Sequence, residues 1–577
     1  MRRGFQVTVA FGILLLLGIF INECFASHEE ILEKAVGESQ NFRLIQKQLN
    51  KFEQQFQSFE GAATHGNDFS TKTKGSLLQK PLSFSDFSLS LVEDVKTPPE
   101  AIDRIIKKMF PAPKQMPASS MALKFNLDAL DPPLKEVIQQ LLDQIELISA
   151  TDFETTLSQA RVFADAIDKI FISQLQSIPK STIKNVTLQS VTDPKIVIAI
   201  GDQGKNFYQA DANNNFILII DFGGDDTYDG AVAAGKFPLR TGIVIDLAGN
   251  DQYLDEKGDI SQGAAVNGFG MLVDVQGDDI YVGSKRAQGY GGLNGVGILW
   301  DKSGQDRYVS YQYSQGAAGY FFPLEDTRDA YVARTKQEGF GLLLDNEGND
   351  VYYTANNPTE SSAQSPGFSD ALSQGFGIGD RGVGLLIDLN GNDVYSSTII
   401  AQGAGWNQGI GILYDEKGSD LYLGVHYVMG ASAHRGFGAF FDLAGEDRYH
   451  VIDGQGAGAS VDTGIASFVD GGTENDVYTG LYKDSGGAGM NNSLATFIDE
   501  GGNDFYYGSS MGRSDLSEYP YRGLNLGIFV DMAGKDFYSD NGKHSRQDNN
   551  EKCIKTESGS DEAKRHPAEV NGFFCDW

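Results

Sequence analysis

An aspartate and a tyrosine stand two residues apart, again and again, along most of this 577-residue chain. Gly391-Asn392-Asp393-Val394-Tyr395 is one copy, and the aspartates of the series are Asp226, Asp251, Asp279, Asp306, Asp350, Asp393, Asp420, Asp447, Asp476, Asp504 and Asp536. A carboxylate beside a glycine turn can do two things. It can ligate a hard cation together with the turn's carbonyl oxygens, or it can accept the backbone N–H groups of the turn itself. A further aspartate near the start of each copy, such as Asp221 or Asp388, closes an apolar run and offers a second set of oxygens.

The elements that must position these groups follow from the repeat. In Gly382–Tyr395 the frame is Gly-x-Gly, three apolar residues, Asp, two residues, Gly, one residue, Asp, one residue, Tyr. Tyr395 to Tyr422 and Tyr422 to Tyr449 are 27 residues each. A short period with no room for a helix predicts a mainly β fold, a parallel β-solenoid or β-helix of about twelve coils over residues 190–540. Two insertions interrupt it, at Phe321–Lys336 and Ala355–Asp370. In such a stack each Asp lies about 4.8 Å from its copy in the next coil, and carboxylates so spaced repel unless something neutralises them. No column of Lys or Arg matches them. Divalent cations would serve, and Asx-type turns are the other reading. A recurring Gln-Gly pair (Gln262, Gln288, Gln315, Gln374, Gln402, Gln455) is expected to form a ladder of side-chain amides bonded to one another along the axis. The Gly-x-Gly predicts close approach of backbones in a thin core. Alternation leaves open which strand face points inward: Val383, Leu385 and Ile387 are apolar, but so is Leu386 on the opposite face.

Gly391–Tyr395, Gly502–Tyr506 and Gly224–Tyr228 resemble the second half of the calcium-binding nonapeptide of RTX (haemolysin-type) proteins. The pattern differs in carrying Asp at the first Gly, one turn per coil of about 27 residues, and Tyr at the apolar position. The resemblance implies calcium as cofactor, with the eleven aspartates named first as ligands.

Outside the repeats, the first residues read as a signal peptide over residues 1–26: Arg2 and Arg3, an apolar run Val7–Ile21, and Ala26 before Ser27. The chain is therefore expected to be exported, to the periplasm, cell surface or medium. Acylation of Cys24 is the lesser alternative, because Ile21-Asn22-Glu23 does not make a lipid-attachment motif. Residues 27–185 have helical periodicity and predict a small α-helical domain of four or five helices. Thr97-Pro98-Pro99-Glu100 and Thr151-Asp152-Phe153-Glu154 are two of its helix starts. Its apolar faces are expected to bury one another or to cap the first coil. Cys553 and Cys575 predict a disulfide in a C-terminal cap over residues 541–577, stabilising it by roughly 3 kcal/mol. Lys and Arg total 46 against 78 Asp and Glu, a net charge of -32, which argues against nucleic acid as partner. No stretch after the signal is apolar enough to span a membrane.

For function, the sequence favours a non-enzymatic scaffold, adhesin-like or binding protein, calcium-stabilised, whose partner is a carbohydrate or another cell-surface protein. The alternative is a β-helix carbohydrate-active enzyme, a polysaccharide lyase or hydrolase. Its site would lie near the insertions, with Glu325, Asp326 and Arg328 as the residues to watch. His426, His434 and His450, with Trp406, form a weaker cluster.

Overall fold

The computed structural model describes residues 27–28, 30–31, 84–109, 123–148, 152–237, 239–319, 338–357, 367–379, 381–482, 484–515, 525–540, 544–546, 552–556 and 570–576. The signal segment with Cys24, the apolar run Phe42–Phe56, and Glu325, Asp326, Arg328 and Glu360 lie outside them.

The chain winds into a parallel β-solenoid of about ten turns. The count is below twelve because the end units are not full coils. Each full coil has three sides. The first is a strand of six to eight residues that ends on an aspartate, such as Phe269–Asp274, Gly295–Asp301, Glu338–Asp345 and Arg381–Asp388. These strands stack in register, Asp274 on Asp301, Asp301 on Asp345 and Asp345 on Asp388. They build a sheet of 15 strands. The second side begins just after the motif aspartate and carries the tyrosine, as in Arg307–Ser310 and Val351–Thr354, in a sheet of 13 strands. The third side is brief, two residues at a time, as at Gly377–Ile378 and Gly405–Trp406.

Packing explains the glycines. A Cβ at Gly382 would overlap the carbonyl of Ile378, and one at Gly384 that of Phe376. The third side thus lies with its backbone directly on the long strand, a separation only glycine permits. Opposite, the tyrosines stack ring on ring: Tyr253 and Tyr281 are 4.7 Å apart and 3° from parallel, Tyr308 and Tyr352 4.9 Å and 4°. Leu343, Leu386 and Leu413 pack against them inside the coil.

The long sheet is covered on its outer face too. Four helices, α1 (Phe84–Val92), α2 (Pro98–Met109), α3 (Pro132–Leu147) and α4 (Phe153–Ala166), form a layer. α4 continues through a π turn, Ile167–Phe171, into Ile172–Ser177. Asp152 caps α4 by accepting the Thr155 N–H at 2.9 Å. Glu100 does not close a capping box onto Thr97 but accepts the Lys96 N–H at 2.8 Å. The helices bury one another in part, and they lie along the flank of the solenoid rather than over its first coil. Val383, Leu385 and Ile387 join Ile102, Ile138 and Phe163 in one apolar cluster. Phe84 meets Phe437 and Phe163 meets Phe269, with ring centres 5.7 and 5.8 Å apart. Arg381 pairs with Glu154 at 2.8 Å. The inward face is therefore the one carrying Gly382, Gly384, Leu386 and Asp388.

Antiparallel strands close the ends. Val186–Gln189 lies on Ile196–Ile200 at the start, and Lys552–Thr556 on Val570–Asp576 at the finish. That last register sets Cys553 opposite Cys575. No described helix is long and apolar enough to cross a membrane.

Candidate metal centre

Both aspartate sets form columns along the inner edge between the two large sheets, and almost every member is buried. They differ in what they hold.

The strand-end column is fully hydrogen-bonded in most coils. Asp388 accepts the Asn390 N–H at 3.1 Å on Oδ1 and the Tyr352 hydroxyl at 2.7 Å on Oδ2. Asp274 and Asp301 do the same with the Gln276 and Ser303 N–H groups and with Tyr253 and Tyr281, each hydroxyl at 2.6 Å. From Tyr208 to Tyr395 each tyrosine donates to the aspartate of the following coil; from Tyr422 onwards it pairs with its own, except that the Tyr478 hydroxyl lies between its own Asp470 and the following coil's Asp499. Asp415 stands at the change and receives both Tyr395 and Tyr422, at 2.7 and 3.2 Å.

The turn column is half-satisfied. Oδ1 of each aspartate accepts the N–H of its counterpart one coil earlier: Asp279 to Asp306 at 2.6 Å, Asp350 to Asp393 at 2.5 Å, Asp393 to Asp420 at 2.6 Å. Oδ2 of Asp226, Asp251, Asp279, Asp306, Asp350, Asp393, Asp420, Asp447, Asp504 and Asp536 is buried with no hydrogen-bond partner. The turn aspartates group with strand-end aspartates, one turn residue with two strand-end residues in the early coils and two turn residues with one strand-end residue at Asp350, Asp388 and Asp393. In Asp274–Asp279–Asp301, Asp301–Asp306–Asp345 and Asp350–Asp388–Asp393, one oxygen from each residue lies within 4.8 Å of the others. The turn glycine keeps this space free: a Cβ at Gly304 would overlap the Gly277 carbonyl oxygen and sit 2.6 and 2.7 Å from the Asp306 oxygens.

Electrostatics follow from burial. Desolvation, then the neighbouring Asp388, pushes Asp393 up to about 10. Burial, then Asp301, does the same to Asp279 and Asp306, each to about 10. Asp388 is raised as well, chiefly by burial, with Tyr352 and the Asn390 N–H opposing the shift. Two buried carboxylate columns side by side cannot both stay charged without a positive partner. These groups could hold a metal ion: the donors are all hard oxygens, and one oxygen of every turn aspartate but Asp476 is buried without a hydrogen-bond partner. A proton shared between columns is the other way to neutralise them.

No family model, no curated protein and no solved structure matches this chain. The chemistry therefore rests on geometry alone.

Other expected groups fall elsewhere. The glutamines do not bond to one another. Gln374 Nε2 donates to the carbonyls of Tyr352 and Ser396, at 3.1 and 3.3 Å, and Gln288 to those of Tyr281 and Val309, at 3.1 and 3.0 Å. Gln262, Gln288, Gln315, Gln374 and Gln402 thus each tie their own coil to the next through main chain, from a left-handed turn position (Gln374 φ 54°) that Gln455 does not share. The histidines do not converge. His434 lies 3.5 Å from Asp462 and edge-on to Trp406, His426 meets the Asp453 carbonyl, and exposed His450 bonds Thr479.

One ladder escaped the sequence reading. The residue between the turn glycine and aspartate is often Asn, Asp or Ser. Asn349 Oδ1 accepts the Asn392 N–H, and Asn392 Oδ1 the Ser419 N–H, both at 2.9 Å. This exposed ladder runs opposite in direction to the buried one. A single position so rich in Asn and Asp was the available signal.

Proposed function

We propose that this chain is a non-enzymatic exported scaffold or binding protein whose aspartate columns take up calcium. The observation that carries this reading is the row of ten buried Oδ2 atoms without a hydrogen-bond partner, in columns where groups of three aspartates bring an oxygen each within 4.8 Å of one another. A rod with helices packed along one flank is suited to displaying surface rather than to enclosing a reaction. Calcium is preferred to magnesium because it accepts irregular all-oxygen sites, whereas magnesium demands near-ideal octahedra and keeps its waters.

The test is thermal melting of the mature chain in calcium, in magnesium and in chelator, with native mass spectrometry to count bound ions. Calcium should raise Tm well beyond magnesium, with several ions bound per chain. An unchanged Tm and no bound ions would sink the calcium reading and leave protons as the neutralising partner. Export is read from Arg2, Arg3 and Val7–Ile21; intact mass of the secreted product should match a chain beginning at Ser27. Cys553 and Cys575, on facing strand positions, are read as a disulfide, and non-reducing peptide mapping should recover them joined.

A further inference from the structure

The first coil has only two sides. From the strand Phe207–Ala210 the chain turns through Asp211–Asn214 straight into Asn215–Asp221. The second coil instead has a third side, described over residues 231–237 and 239–240, before Thr241–Asp246. That third side has no coil stacked above it. Asp211 holds the tight turn in place by accepting the N–H groups of Asn213 and Asn214 at 2.7 and 3.0 Å.

The step leaves a cleft of about 300 Å³. Asp211, Asn214 and Asn215 line one wall, and Lys236, Phe237 and Asp255 line the other. Three features set it apart from a plain truncated end. Asp255 is 7% exposed, and its buried Oδ2 lacks a well-formed hydrogen bond, with the Ser261 hydroxyl, the Gly258 N–H and the Lys236 ammonium near enough to favour its charge. Lys236 gives one proton to the Asp259 carbonyl at 2.9 Å, which leaves two for a ligand. Phe237 stands at the rim with 81% of its surface exposed among the described residues, its face open toward the cleft mouth.

Together these groups match a hydroxyl-rich ring. A carboxylate with one oxygen short of a well-formed bond takes a sugar hydroxyl, an ammonium donates to another, two carboxamides give and take further hydroxyl bonds, and an open phenyl face receives the C–H side of the ring. Asp211 and Asp255 in the cleft, on a chain of net charge -32, disfavour an anionic ligand. The volume is at the small end for ligand pockets, enough for the end of a chain rather than its middle. We propose that this cleft binds the terminal one or two rings of a neutral saccharide. The proposal stands apart from the calcium reading, since none of these residues belongs to the aspartate columns.

The experiment is calorimetric titration of the full mature chain, with and without chelator, against cellotetraose, chitotetraose, maltotetraose, mannotetraose and tetragalacturonate. At least one neutral tetrasaccharide should bind, and the same one in both buffers. Phe237→Ala should weaken it about ten-fold or more while leaving Tm in place, because the ring is exposed. Asp255→Asn, which keeps the shape, should weaken it as well. Silence from every neutral member at millimolar concentration overturns the proposal. So does preference for tetragalacturonate, or binding that Phe237→Ala leaves unaltered.

Discussion

Asp388 and Asp393 sit five residues apart in one turn, and their side chains live under different rules. Asp388 ends a strand and has both oxygens engaged, by a main-chain N–H and a tyrosine hydroxyl. Asp393 engages one oxygen with the coil before it and leaves the other free. The difference teaches that repetition of a residue does not give repetition of a role. The strand-end column is a structural joint. The turn column is a joint on one oxygen and an open valence on the other.

The comparison breaks most sharply at the joint. Asp388→Ala should strand the Tyr352 hydroxyl and the Asn390 N–H in a dry interior, costing about 3 kcal/mol by urea unfolding. A loss below 1 kcal/mol would mean that water reaches the site and that the column is not a joint.

Acid should act on both columns, since burial raises the strand-end Asp246, Asp274 and Asp345 well above the usual carboxylate range as it raises the turn aspartates. Unfolded aspartates bind protons only near pH 4. Folded Asp350 and Asp504 are raised to about 8, and Asp279 to about 10, in each case chiefly by burial. Between those limits the folded chain holds more protons than the unfolded one, so stability rises as pH falls. In chelator, Tm should climb from pH 9 to pH 6. In calcium the same acidification should flatten or reverse that trend, because protons displace the cation. Parallel melts across that range decide the matter.

Asp393→Asn sharpens the contrast with Asp388 at smaller scale. It keeps an oxygen for the Asp350 N–H and replaces a carboxyl that stays neutral only by holding a proton, so in chelator it should be neutral or stabilising by about 1 kcal/mol. In calcium it should lose part of the gain seen in the parent. Least of all, Asn349→Ala removes an exposed acceptor from the Asn392 N–H, and should cost about 0.5 kcal/mol in either buffer because water replaces it.

The period, the parallel coil, the two columns and the close backbone approach at Gly382 and Gly384 were all legible in the sequence. The inward face was not, because the strand is buried on both sides: Leu386 meets the tyrosine stack and Leu385 meets the helices. Nor was the docking of those helices. An apolar stripe on α4 looks the same whether it covers a helix or a sheet. The glutamines were assigned to the right place with the wrong partner. A repeating amide suggests a ladder of its own kind, and only the fold reveals that main-chain carbonyls of two coils lie nearer.

The helical layer has a consequence for the order of assembly. A bare solenoid can grow by nearest-neighbour contacts, each coil settling on the last. Here His28 reaches Glu500 at 3.2 Å, and Lys96 pairs with Glu416. The first segments to be synthesised find their seats among the last. Until those coils exist, the apolar faces of α1 to α4 have little of the sheet to cover, and the outer faces of early strands stay bare in turn. Such long-range closure slows folding and prolongs exposure to aggregation. A chain built from local repeats therefore completes itself globally, with its beginning acting as the clasp.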